Sequence, residues 1–188
     1  VFVGIFADLD AGPRTSGSYH MDDLVGWYDG DWCAPRGEWE WPVELQMVYV
    51  YDNNGDDGCT PGYFGILLLG YERSGGYGYE YMGFQRYDVH AVRFFRGLQP
   101  YEHGGEPTND YERYEVLSEP FFHQPAANPN DYKALMSIGP FTLPPFETTW
   151  VDVAFVAGEG LEGMLTNASR AMVVYQGCLL YTSDAADE

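Results

Sequence analysis

The sequence predicts a mainly β fold: an antiparallel β-sandwich with short helical turns and one C-terminal amphipathic helix. Short apolar or alternating runs recur between turns rich in Gly, Asp and Pro, as expected for strands joined by tight turns. One long segment has helical spacing instead. Its apolar residues are Leu161, Met164, Leu165, Ala168, Met172 and Tyr175.

Three runs predict strands in the N-terminal half of the chain. Residues 1–7 form an apolar run that predicts a buried strand, and residues 63–69 predict another. Residues 43–51 alternate with a period of two and predict a third, with one face formed by Val43, Leu45, Met47, Tyr49 and Tyr51. Residues 14–42 show no sustained period and predict loops.

The C-terminal half predicts strands broken by loops and turns. Residues 89–95 predict a strand, and the Gly/Tyr-rich residues 74–81 predict a loop or an irregular hairpin. The similar pieces 109–112 and 130–133 each begin with an Asn that predicts a capped helical turn. Two strands joined by a short turn are predicted at residues 141–143 and 149–157.

The charge is strongly acidic, with a formal net value of −20 and a single lysine, Lys133. Such a chain repels phosphate backbones and anionic lipid surfaces, so we expect no nucleic-acid partner. No apolar run is long enough to span a bilayer, so we also expect no membrane insertion. The acidity fits a saline habitat, the solubility of a secreted surface or specific cation binding, and the composition does not choose among them.

The last eleven residues, 178–188 (CLLYTSDAADE), resemble the translation of a sequencing-library adapter. On this interpretation the tail lies outside the fold, and its three acids leave the remaining chain with a formal charge of −17 rather than −20. The chain also opens without Met. We therefore expect residues 1–177 to be one β-sandwich domain, truncated at both ends, followed by an artefactual tail at 178–188.

Three patches of the chain resemble a known class of protein. They are 3–12 (VGIFADLDAG), 48–52 with 61–65 (VYVYD and PGYFG), and 137–143 with 153–158 (SIGPFTL and VAFVAG). They resemble uncharacterised β-rich regions of large secreted or cell-surface proteins of environmental bacteria, which often lie upstream of C-terminal sorting or immunoglobulin-like modules. The resemblance implies an extracellular or cell-surface location and the other domains of the same chain as partners. Together with the acidic loops and the lack of a recognised catalytic motif in the sequence, it leads us to expect a non-catalytic structural or interaction module of an exported bacterial protein.

One position departs from the resembling pattern. That pattern has Pro-Gly-Glu in its last turn, whereas Pro145 is followed here by Phe146. Glycine at such a point suggests a positive φ, which Phe adopts poorly. We therefore expect a turn of a different type.

Acidic loops beside the predicted strands form the candidate metal site. Ca²⁺ takes about six to eight oxygen ligands, often from flexible loops. Asp52-x-Asn54-x-Asp56 has the alternate spacing of a calcium loop, without the rest of an EF-hand pattern. The sequence predicts calcium as cofactor, with the ligands Asp8, Asp10, Asp52, Asn54 and Asp56. The alternative is that these side chains form turns by bonding their own backbone.

A carbohydrate-binding or glycosidase-associated β-sandwich domain is the alternative function. Glu38 and Glu40 share one side of an extended segment, as paired glycosidase carboxylates do, but Pro42 interrupts the strand that should hold them. Glycans are possible partners because sugar faces stack on exposed rings. The aromatic residues concerned, for which core burial is the commoner fate, are Trp27, Tyr28, Trp32, Trp39 and Trp41.

Cysteines and histidines give weaker signals. Cys33 and Cys59 both lie in polar loop sequence, and they predict either a disulfide of an exported protein or two free thiols. The four histidines have no metal-ligand spacing, and we expect each at the surface or in a turn. They are His20, His90, His103 and His123.

Overall fold

A computed structural model describes residues 1–12, 20–33, 42–52, 62–73, 79–80, 83–84 and 89–184. Nine strands and two α-helices occur in these ranges. The strands are β1 (Val3–Asp8), β2 (Asp23–Trp32), β3 (Val43–Asp52), β4 (Gly62–Arg73), β5 (Tyr79–Glu80), β6 (Gly83–Phe84), β7 (Val89–Arg96), β8 (Tyr132–Ile138) and β9 (Thr149–Glu159). The helices are α1 (Asp110–Ser118) and α2 (Gly160–Asp184), and Tyr101–His103 form a 3₁₀ turn.

Two antiparallel sheets form the sandwich. One has the strand order β1-β8-β7 and the other β2-β3-β4-β9, while β5 and β6 pair only with each other. The predicted fold class, a mainly β antiparallel sandwich with a C-terminal helix, is confirmed. Within the described ranges neither helix combines the length and the apolarity that crossing a membrane would require.

The core between the sheets is aliphatic. Buried residues from both sheets meet there, including Val25, Val48, Val50, Ile66, Val92, Met136 and Ile138. Strand β3 is buried on both faces, because Val48 and Val50 point into this core while Leu45 and Met47 point to the opposite side. A strand covered on both sides must lie between two layers.

Helix α2 is the third layer, packed on the outer face of the four-stranded sheet. Its buried residues recur with helical spacing and cover Leu45, Met47 and Leu67. A Cβ on Gly158 would collide with the backbone of Met164, so glycine permits the close approach of β9 and α2. The predicted amphipathic helix is confirmed as α2, and its buried apolar residues within the described side chains are Met164, Leu165, Ala168 and Met172.

The smaller helix, α1, covers part of the outer face of the three-stranded sheet. Val116 packs there against Phe95 and Leu135. The side chain of Asn109 accepts a hydrogen bond from the backbone N–H of Glu112, 3.1 Å away. The predicted cap at Asn109 is therefore confirmed.

Four expectations about local structure were wrong. Residues 14–42 contain a ten-residue strand, β2, and residues 130–133 run into β8 rather than forming a capped turn. Residues 141–143 are not a strand, and β9 pairs with β4 instead of a hairpin partner. Strand β1 is half-exposed, because alternate residues face the core and the solvent. For β2, β8 and β9, pairing with another strand decides the conformation, and a local pattern does not record it.

Phe146 adopts the conformation that its side chain disfavours. Its φ is 69° and its side chain is fully exposed. The backbone N–H of Glu147 donates to the carbonyl of Pro144 at 3.1 Å, which closes a four-residue turn. Pro in the second position and a positive φ in the third are the features of a type II turn.

Candidate metal site

Acidic side chains gather at one end of the sandwich. Strands β1 and β3 end there, and β2 and β8 begin there. Antiparallel pairing sets Asp8 opposite Lys133 in one sheet and Asp23 opposite Asp52 in the other. The backbone N–H of Asn130 donates to the carbonyl of Asp23 at 3.0 Å and joins the two sheets at this end.

Among the described residues, Asp8, Asp10 and Asp131 form a compact acidic group. A carboxylate oxygen from each lies within 4.8 Å of those of the other two. Asp8 and Asp10 are exposed and Asp131 is half-buried. Three carboxylates at this separation can share a hard cation such as Ca²⁺, which accepts oxygen ligands at flexible geometry.

Within the described ranges, Lys133 forms an ion pair with a member of this group. Its ammonium lies 2.6 Å from a Glu106 oxygen and 3.3 Å from a carboxylate oxygen of Asp8. The hydrogen bond to Glu106, followed by the charge of Asp8, raises the pKa of Lys133. Lys133 therefore offsets part of the negative charge, and its shorter contact is to Glu106 rather than to Asp8.

Asp23 is fully buried beside this group. One carboxyl oxygen accepts a hydrogen bond from the backbone N–H of Ala11 at 3.0 Å, whereas the other, Oδ2, has no partner among the described residues. Burial, and then the charges of Asp10, Asp22 and Asp52, raise the pKa of Asp23 from 3.8 to about 8. At neutral pH this carboxyl is mostly protonated unless a cation binds beside it.

The structure brings only part of the predicted ligand set together. Asp8 and Asp10 lie in the three-acid group, while Asp52 lies outside it, buried opposite Asp23. Asn54 and Asp56 lie outside the described residues, so their role stays a prediction. Sequence reasoning missed Asp131 because its link to Asp8 arises from the β1–β8 pairing.

Aromatic residues predicted as a glycan surface lie on both faces of β2. The Trp27 ring packs 5.1 Å from the Phe122 ring, on the side of the sandwich core. Tyr28 and Trp32 pack toward α2 instead, and the indole N–H of Trp32 donates to the hydroxyl of Thr166 at 3.3 Å. These three do not form one platform. Trp39, Trp41, Glu38 and Glu40 lie outside the described residues.

Two of the histidines make hydrogen-bonding contacts within the fold. His123 is half-buried, and its Nδ1 accepts a hydrogen bond from the backbone N–H of Phe94 at 2.7 Å. His90 Nε2 lies 2.8 Å from the carbonyl of Ser118. Cys33 is exposed and Cys59 lies outside the described residues, so the disulfide stays a prediction.

Comparisons of the chain with known protein families, with curated proteins and with solved structures found no match. The physical features of the chain are therefore the basis for a proposed function.

Proposed function

We propose that this chain is a non-catalytic structural or interaction module of an exported bacterial protein, stabilised by Ca²⁺ at its acidic end. The observation that carries the calcium proposal is the grouping of Asp8, Asp10 and Asp131 within 4.8 Å of one another. The buried Oδ2 of Asp23, which has no hydrogen-bond partner among the described residues, also supports the proposal, because a cation nearby would favour the charged form of this carboxyl.

Electrostatics favour a bound cation at this end. Clustered carboxylates repel one another, and burial of Asp23 adds a desolvation cost to its charged form. A divalent cation reverses both effects by attracting every carboxylate. Lys133 can stay paired with Glu106 while Asp8 turns to the metal, since the Glu106 contact is the shorter one.

Exposure of the ligands sets the expected affinity. Asp8 and Asp10 lie at the surface, and three side chains leave several positions around the ion to water or backbone oxygens. Sites of extracellular modules bind calcium at about 10⁻⁴ to 10⁻³ M. A site of this strength would be filled outside the cell, which agrees with the exported location that the sequence resemblance implies.

Thermal unfolding tests the calcium proposal. A metal bound only by the folded state adds RT ln(1 + [L]/Kd) to the free energy of unfolding, so about 1 mM free calcium and a Kd of about 10⁻⁴ to 10⁻³ M give roughly 0.4 to 1.4 kcal/mol. We expect the Tm to fall in chelator and to recover in millimolar calcium, but not in sodium chloride of equal ionic strength. Equal recovery in sodium would mean general screening of the negative charge, and the site would be rejected.

A hydrolysis screen tests the absence of catalysis. The chain and its Glu38→Gln variant should both show no turnover of a panel of polysaccharides. Turnover by the unaltered chain that Glu38→Gln removes would support the glycosidase alternative and contradict a purely structural role.

A further inference from the structure

A polar cavity of about 290 Å³ opens at the edge of the sandwich. Its walls are the ends of β7 and β8 and the segment 123–130, which crosses between the two sheets. That segment is held at both ends, because the N–H of His123 donates to the carbonyl of Val92 on β7 and the N–H of Asn130 donates to the carbonyl of Asp23 on β2. The cavity is thus a built part of the fold, distinct from the acidic end group.

Arg96 gives the cavity a positive charge. Arg93, Arg113 and Lys133 each form an ion pair with a carboxylate, whereas no acid in the described ranges pairs with Arg96. None of the cavity-lining residues is acidic, although the chain has 29 Asp and Glu residues. The neighbouring Asp131 carboxylate lies with Asp8 and Asp10 instead. An anionic group can therefore approach Arg96 from within the cavity.

The other lining residues supply neutral hydrogen-bonding groups. His123 Nδ1 accepts from the Phe94 N–H, so the neutral ring carries its proton on Nε2 and can donate there. Burial, and then the charge of Arg93, lower the pKa of His123 and keep it neutral near pH 7. Gln124 and Asn130 add amide donors and acceptors to the lining.

Aromatic rings complete the lining. Tyr132 lies opposite Arg96 in the β7–β8 register, and its hydroxyl donates to the carbonyl of Asn128 at 2.9 Å, which holds the ring in place. Phe94 stacks on His123 with ring centroids 6.0 Å apart. Phe94 is buried against His123 and the core, so the half-buried Tyr132 ring is the one that can offer an apolar face to the C–H face of a sugar. The volume lies just below the usual range for ligand cavities, about 300–1,000 Å³.

We propose that this cavity binds a single uronic acid residue of an otherwise neutral glycan, with Arg96 holding the carboxylate, because the net charge of −20 opposes the approach of a polyanion. A guanidinium fork matches the two oxygens of a carboxylate, the amides and His123 match ring hydroxyls, and the Tyr132 ring matches the apolar sugar face. This inference goes beyond the structural role proposed above and does not depend on calcium.

Calorimetric titration tests the cavity with glucuronic acid and with a trisaccharide of two galactose residues and one terminal glucuronate, in chelator and in calcium. The neutral counterparts, glucose and a galactose trisaccharide, and inorganic phosphate are the comparison ligands. We expect each uronate to bind at least about tenfold more tightly than its neutral counterpart and than phosphate, since hydrogen bonds to a charged group are the stronger class. Arg96→Gln should weaken uronate binding at least about tenfold, and Arg96→Lys should weaken it less.

The matched control is Arg113→Gln, which removes the same charge from α1, outside the cavity, and should leave binding unchanged. Unchanged melting of the Arg96 variants would show that they fold. Absent uronate binding, equal binding of neutral sugar or phosphate, or insensitivity to Arg96→Gln would overturn the proposal. Binding that requires calcium and is lost in Asp131→Asn but kept in Arg96→Gln would assign the ligand to the metal site and also overturn it.

Discussion

Asp23 and Asp52 face each other across the β2–β3 pair, in register and both buried. Like charges directly opposite on neighbouring strands destabilise a sheet. The charge of Asp52 is one cause of the raised pKa of Asp23, although burial is the largest. Burial and this opposition therefore favour the protonated form of Asp23 when no cation is bound beside it.

We expect the free energy of unfolding, measured in chelator, to fall as pH rises from about 4 to about 8. Between the ordinary value of 3.8 and the folded-state pKa of about 8, the folded chain keeps a proton on Asp23 that the unfolded chain has lost. Stability therefore falls with rising pH, by up to about 1.4 kcal/mol per unit for one proton. Urea unfolding at several pH values measures this slope.

The matched variant for this prediction is Asp23→Asn, which cannot ionise but keeps a similar shape. Its stability should depend less on pH over the same interval and exceed that of the unaltered chain near pH 8 in chelator. Identical slopes for the two proteins would mean that Asp23 is already ionised in the folded state.

The effect of Asp131→Asn on the Tm should change sign when calcium is added. In chelator it removes a repulsive carboxylate from the group with Asp8 and Asp10, so the Tm should stay level or rise. In millimolar calcium it removes a ligand, so most of the calcium-dependent gain in Tm should disappear. Differential scanning calorimetry with and without calcium measures both effects.

Glu147→Gln is the control for this comparison. It also removes one exposed carboxylate, but from the turn before β9. Its calcium-dependent gain in Tm should equal that of the unaltered chain. If both variants lose the gain equally, calcium acts through total charge rather than through the three-acid group.

Met172→Ala should destabilise the protein by about 2–4 kcal/mol, because it removes a buried side chain between α2 and the four-stranded sheet.

Truncation after Gly177 removes the adapter-like tail and should leave the Tm unchanged within error. Denaturant unfolding of the two variants tests both statements. A truncation that costs as much as Met172→Ala would show that residues 178–184 of α2 contribute to the packing.

Phe146→Gly should raise the free energy of unfolding by up to about 1 kcal/mol. Its φ of 69° is unfavourable for a residue with a Cβ, and its ring is fully exposed, so little packing is lost. Phe146→Ala removes the ring but keeps the Cβ and should give no such gain. A loss of stability in Phe146→Gly would indicate that the ring makes contacts in solution.

Local patterns in the sequence were sufficient for the elements that carry their own period. The alternation over residues 43–51 is strand β3, and the spacing from Leu161 to Met172 is the buried face of α2. Asn109 caps α1 because that bond joins residues only three positions apart. Such features depend on neighbours in the chain, so the sequence contains the information directly.

Strand β2 and the acidic group were decided by tertiary structure. Strand β2 includes Gly26, Gly30 and two Asp residues after Asp23, and it becomes a strand because β3 pairs along its whole length. Asp8 and Asp131 are far apart in the chain and meet because β1 pairs with β8.

The sequence by itself determined the fold class, the alternating strand β3, the packing face of α2 and the acidic character of the loops. Tertiary structure decided which acids lie together, that Asp23 is buried with an unpartnered oxygen, and that Arg96 lines a cavity without acids. The physical reason is range: periodicity and caps arise from bonds a few residues apart, whereas burial, strand order and charge grouping arise from contacts between distant segments.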